Sequence, residues 1–147
     1  MEHDPAPEDG LSREQYAAIA AFRYQLRRFL ATSEAAAMQA GLPPQQHQAL
    51  LAVAGHAGGE PPTVGVLADQ LLVAPHTAAE LVTRMVQADL MTKTPAVRDR
   101  RRMELALTRK AEALLRHLTA AHLDELGTLE PALVRALGRL GRARPSP

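Results

Sequence analysis

Cysteine is absent from the chain, which removes disulfides, thiolate metal sites, cysteine nucleophiles and thiol-based redox sensing from consideration. Tryptophan is absent as well, and Tyr16, Phe22, Tyr24 and Phe29 are the only aromatic residues. Ala and Leu supply most of the apolar content, a composition that favours helices over sheets. No apolar run approaches the roughly 20 residues of a membrane span, and residues 1–10 are acidic and proline-containing, unlike a secretory signal peptide. A cytoplasmic protein with no membrane partner is expected. The chain also lacks a Gly-rich phosphate loop and any Ser, His and carboxylate set that spacing would bring together, so no catalytic residue and no cofactor is assigned and an enzyme is not expected. His117 and His122 are five apart, off the one-face spacing of an i,i+4 metal pair, and His47 and His56 belong to another helix; no metal site is assigned.

What is present is unevenly placed charge. The formal net charge is only +1, yet residues 1–14 carry Glu2, Asp4, Glu8, Asp9 and Glu14 against Arg13. Residues 93–110 carry Lys93, Arg98, Arg100, Arg101, Arg102, Arg109 and Lys110 against Asp99 and Glu104. Distribution rather than net charge marks a nucleic-acid footprint.

Residues 1–10 show no periodicity and read as a mobile arm. Ser12 and Gln15 form a capping box and Leu11 and Tyr16 a hydrophobic staple, opening a helix that carries Ile19, Phe22, Leu26, Phe29 and Leu30 at helical spacing as far as Gly41. Its length of roughly 28 residues, about 42 Å, would expose apolar surface beyond its own domain unless a second subunit covers it. Pro43 and Pro44 open a second helix with Leu50, Leu51, Val53 and Ala54 as its apolar face, and Thr63 caps a short third one with Val64, Val66, Leu67, Leu71 and Leu72 turned inward. Only Val73 and Ala74 then separate it from a fourth helix opened by Pro75, a spacing that permits nothing but a tight turn.

The fourth helix presents Ala78, Leu81, Val82 and Met85 on one face. From Leu90 the pattern turns strand-like, passes a Pro95-Ala96-Val97-Arg98 turn and returns along Met103, Leu105 and Leu107, which makes a two-stranded wing. Thr108 caps a fifth helix that runs to Gly127, and a sixth follows with Leu129, Leu133, Leu137 and Leu140. The fold class is therefore mainly α: a winged helix-turn-helix with a small β-hairpin wing and a helical dimerisation region formed by the N- and C-terminal helices.

In a helix-turn-helix the second helix lies in the major groove with residues near its N-terminus at base edges, while flanking groups hold phosphates. His76, Thr77, Ala79, Thr83 and Arg84 are the DNA-binding candidates of that helix, with Glu80 on the same exposed side. Taken alone, such polar residues are better explained by an ordinary solvated helix face; the wing favours DNA. Lys93, Arg98, Arg100, Arg101 and Arg102 crowd together with few counter-charges, which phosphates or a minor groove would neutralise. Asp99 reads as the wing's organiser, pairing with Arg101 to aim its guanidinium.

On these residues the chain resembles the MarR family of bacterial transcription regulators. The family's wing signature, Asp-x-Arg followed by a hydrophobic strand and Leu-Thr, stands here as Asp99-Arg100-Arg101 and Leu107-Thr108; its helix-turn-helix pattern stands as Leu67-Ala68, Val73, Thr77, Leu81-Val82 and Arg84-Met85, ahead of Leu90-Met91. Ala74 takes the place of the family's usual hydroxyl cap, and Asp89 that of its usual Gly. The resemblance implies a homodimer on a pseudo-palindromic double-stranded DNA operator, acting as a repressor and released by a small-molecule effector. The expected organisation is an arm at 1–10, a dimerisation helix at 11–41, a winged helix-turn-helix at 42–108, dimerisation helices at 109–141 and a flexible tail at 142–147, all in one intertwined domain. The rival class is a protein-interaction or ligand-sensing module that uses the same scaffold without binding DNA.

Overall fold

The computed structural model describes residues 12–142. The N-terminal arm, Leu11 of the staple and the tail beyond Arg142 lie outside the described residues. The elements run α1 (Arg13–Gln39), α2 (Pro44–Ala54), α3 (Val64–Leu71), α4 (Pro75–Gln87), β1 (Met91–Pro95), β2 (Met103–Leu107) and α5 (Arg109–Arg142). They form two compact units, Met1–Ser33 with Ala121–Pro147, and Glu34–Ala120. No helix among the described residues is long and apolar enough to cross a membrane.

Helix α1 begins as its capping box requires. The Ser12 N–H donates to Gln15 Oε1 at 2.8 Å and the Gln15 N–H to Ser12 Oγ at 3.2 Å, so each satisfies a donor the helix leaves orphaned. The helix stops where Gly41 takes a φ of +78°, a conformation that costs a side chain dearly and glycine little.

The second unit is built around one apolar core. Leu50, Leu67, Val82, Met85, Met91 and Leu105 are fully buried in it, each contributing about 1.5–3 kcal/mol relative to exposure. This core reaches beyond the stretch 42–108: Ala37 from the last turns of α1 and Ala111, Leu115 and Leu118 from the first turns of α5 are buried in it too. The winged helix is therefore clasped at both ends by helices that continue past it.

Two apolar faces are corrected by the structure. In α2 the buried set is His47, Ala49, Leu50 and Val53, while Leu51 and Ala54 are exposed; the helix turns its i, i+3 stripe from Leu50 to Val53 inward, and Leu51 stands about 100° away from Leu50 around the axis. Leu72 does not point inward but is 92% exposed, because it closes α3 in the left-handed region with φ 57° and turns its side chain out of the corner.

The C-terminal segment is a third correction. Residues 109–142 form one helix rather than two, running through Gly127 and Pro131. A lone glycine inside a helix costs only about 1 kcal/mol, and with no distant atom within 4 Å of its missing Cβ, Gly127 meets nothing that would bend it away. Among the described residues of the first unit the buried ones are Ala18, Ala136 and His122, whereas the large apolar side chains Tyr16, Ile19, Tyr24, Leu30, Leu123, Leu126, Val134 and Leu137 stay exposed. Phe29 meets the His122 ring edge-on at 6.4 Å.

Candidate nucleic-acid interface

The turn between α3 and α4 follows from three residues. Thr63 caps α3, its Oγ1 accepting from the Val66 N–H at 3.3 Å. Leu72 supplies the left-handed corner, and the Val73 N–H reaches back to the Ala68 carbonyl at 3.1 Å. Ala74 then stands at the N-cap of α4 with no side-chain bond to offer, and Pro75 at the first helical position sets the entry dihedral instead.

Helix α4 buries Ala78, Leu81, Val82 and Met85, the face read from its periodicity. That leaves His76, Ala79, Glu80, Thr83 and Arg84 exposed, with Thr77 half-buried. The Thr83 hydroxyl donates to the Ala79 carbonyl at 3.0 Å, so its proton is engaged within the helix and its lone pairs remain to accept.

The wing pairs β1 and β2 antiparallel in the register Met91 with Leu107, Lys93 with Leu105 and Pro95 with Met103. Its tip is closed by the Ala96 N–H on the Arg102 carbonyl at 2.8 Å and by the Arg102 N–H on the Asp99 carbonyl at 3.0 Å. Asp99 accepts the backbone N–H of Arg101 at 3.0 Å through Oδ1. Its contact among the described residues is thus with the main chain of Arg101 rather than with the guanidinium: the carboxylate shapes the turn, as Asp side chains do two residues ahead of a backbone donor. Lys93, Arg98, Arg100, Arg101 and Arg102 are all exposed.

A groove of about 670 Å³ joins these parts. Its walls bring His76 and Ala79 of α4 together with Arg101 and Arg102 of the wing, while Thr77, Thr83, Arg84, Lys93, Arg98 and Arg100 lie outside it. The start of α3, Thr63 to Val66, and Asp69 also line it, and these were not among the sequence candidates. The reason is a long-range pairing: Thr63 bridges Glu104, and the Leu105 N–H donates to the Pro62 carbonyl at 2.7 Å, which draws the start of α3 against the wing. The Thr63 cap was a local signal of the helix start; nothing local announced its strand partner. Among the described residues, no group of three or more His, Cys, Asp or Glu comes together as a metal site.

The winged helix matches the MarR family. Residues 40–102 fit that family's model, and they include every residue that lines the groove except Met103. AbsC, a MarR family transcriptional regulator from Streptomyces coelicolor, is similar in structure with a TM-score of 0.65 at 18% identity, over 91% of this chain and 98% of its own. MepR of S. aureus in its DNA complex is similar at 0.61 and 19% identity, over 78% of this chain and 80% of its own. NadR in complex with 4-hydroxyphenylacetate is similar at 0.64 and 20% identity, over 97% and 92%. No functionally curated protein matches the chain. The fold is that of MarR family transcription regulators.

Proposed function

We propose that the protein is a homodimeric, sequence-specific DNA-binding transcription regulator, acting as a repressor on a pseudo-palindromic operator. The observation that carries this reading is the groove in which His76 and Ala79, near the start of α4, share walls with Arg101 and Arg102 of the wing. A helix N-terminus beside two guanidiniums suits a bent polyanion, with α4 in the major groove and the arginines on phosphates or in the minor groove. His76, Thr77, Ala79, Thr83 and Arg84 read or position bases; Lys93, Arg98, Arg100, Arg101 and Arg102 hold the backbone.

The exposed apolar side chains of the first unit support a second copy as partner, since a folded chain keeps few large apolar residues in water without use. A small-molecule effector completes the reading. A pocket of about 420 Å³ within the first unit, with Arg28, Phe29, Glu125, Leu129 and Arg135 on its walls, offers room and both signs of charge for such a ligand.

Titration of promoter DNA at graded salt tests the function. A dimer holding 6–10 phosphates loses roughly 10³–10⁵ in affinity between 50 and 200 mM salt, and operator fragments compete selectively. Binding that is neither salt-sensitive nor sequence-selective contradicts the reading and favours an interaction module. Light scattering at micromolar concentration tests the dimer, which a monomeric mass would exclude.

A further inference from the structure

The end of α4 is held in an unusual way. Its C-terminus closes in a Schellman arrangement: the Asp89 N–H bonds the Val86 carbonyl at 3.1 Å and the Leu90 N–H the Met85 carbonyl at 2.9 Å, with Asp89 in the left-handed position. That closure leaves the carbonyls of Ala88, Asp89 and Leu90 without a helical donor. Each is taken by the start of α5: Ala88 by Lys110 Nζ at 3.0 Å, Asp89 by Thr108 Oγ1 at 2.7 Å, and Leu90 by the Thr108 N–H at 3.2 Å.

Lys110 differs from the other cations of the basic stretch in this respect. Lys110 is exposed like the wing arginines, but its ammonium is turned back onto the exit of α4, where the negative end of the helix dipole favours a cation. A backbone acceptor also fixes direction, which a diffuse surface charge does not.

We infer that Lys110 is a positioning residue for the recognition helix: it caps the C-terminus of α4 and fixes that helix against α5, and it does not contact DNA. The inference rests on the DNA-binding reading for its consequence, but the cap itself exists without DNA. Opening the cap frees the last turn of α4 and lets the helix change its tilt, so that base contacts at the far end lose their register while the number of phosphates held stays the same.

The test uses the full-length chain with Lys110→Met and Lys110→Arg, and a duplex that the parent selects from a random-sequence pool. In the free protein, amide exchange of Val86 to Leu90 should rise about tenfold in Lys110→Met and stay near the parent in Lys110→Arg, which keeps a donor. On DNA, Lys110→Met should bind the selected duplex about tenfold more weakly and discriminate less against base changes, with the slope of log affinity against log salt unchanged. Lys110→Arg should restore both. A slope shallower by about 0.9 would make Lys110 a phosphate contact and overturn the inference. Unchanged exchange overturns it too, as does a Lys110→Met variant that melts earlier yet keeps full affinity and discrimination. If the parent selects no duplex, the DNA-binding reading fails along with the readout role, while the exchange experiment still decides whether the cap exists.

Discussion

The Thr108 hydroxyl donates to the Asp89 carbonyl across 2.7 Å and accepts from the Ala111 N–H at 3.2 Å. One side chain thereby ties the corner that leaves α4 to the first turn of α5. Replacing it by the isosteric Thr108→Val removes both bonds without changing shape. The expected loss is about 0.5–2 kcal/mol, from the missing N-cap, since the exposed Asp89 carbonyl is left to water, whereas Thr108→Ser should stay within about 1 kcal/mol of the parent because the hydroxyl is kept. Urea denaturation measures this; equal midpoints for the parent and the Val variant would show that the hydroxyl holds nothing.

Asp89 occupies the left-handed region with φ 59°. Glycine meets no Cβ penalty there, so Asp89→Gly should stabilise the protein by about 1 kcal/mol, while Asp89→Ala gains nothing. Thermal melting of the two variants side by side separates relief of backbone conformation from removal of charge, since only the former distinguishes Gly from Ala.

Gly127 lies inside α5 with open space around it. In an uninterrupted helix, Gly127→Ala lowers the entropy of the unfolded chain and raises stability by about 0.5–1 kcal/mol. A helix ending at this residue in a left-handed turn would instead be destabilised by the same change. The sign of the shift in melting temperature therefore tests the continuity of α5 directly.

Arg101 and Thr77 should fail in different ways on DNA. Arg101→Ala should weaken binding to all sequences and reduce the salt slope by about 0.9, the signature of one phosphate lost. Thr77→Ala should leave the slope alone and redistribute preference among operators. Parent-like affinity and slope in Arg101→Ala would remove the wing from the interface.

The features legible in the sequence are those with local causes. The Ser12 and Gln15 capping box, the Thr63 and Thr108 caps, the buried face of α4 and the strand alternation through Met103, Leu105 and Leu107 each depend on neighbours within a few residues. Part of what escaped depends on residues far apart. Thr63 reaches Glu104 across the chain, and this pairing, absent from any local pattern, is what draws Asp69 and the start of α3 onto the groove. Leu72 looked like another apolar residue of a helical stripe; only the geometry of the corner sends it outward. For Asp99 the sequence suggests a pair with the Arg101 guanidinium, whereas the structure has its carboxylate accept the nearby main-chain N–H of Arg101.

Pro131 has no N–H, so within α5 the carbonyl of Gly127, one turn earlier, lacks its rung of the ladder. A proline is well placed as the first residue of a helix and a glycine just past the end of one. The four-residue interval between them thus spells a stop and a restart that the folded chain overrides. Heating or tension along α5 should find its yield point there, and a fragment beginning at Pro131 would carry its own helix-start signal wherever the remainder of the helix went.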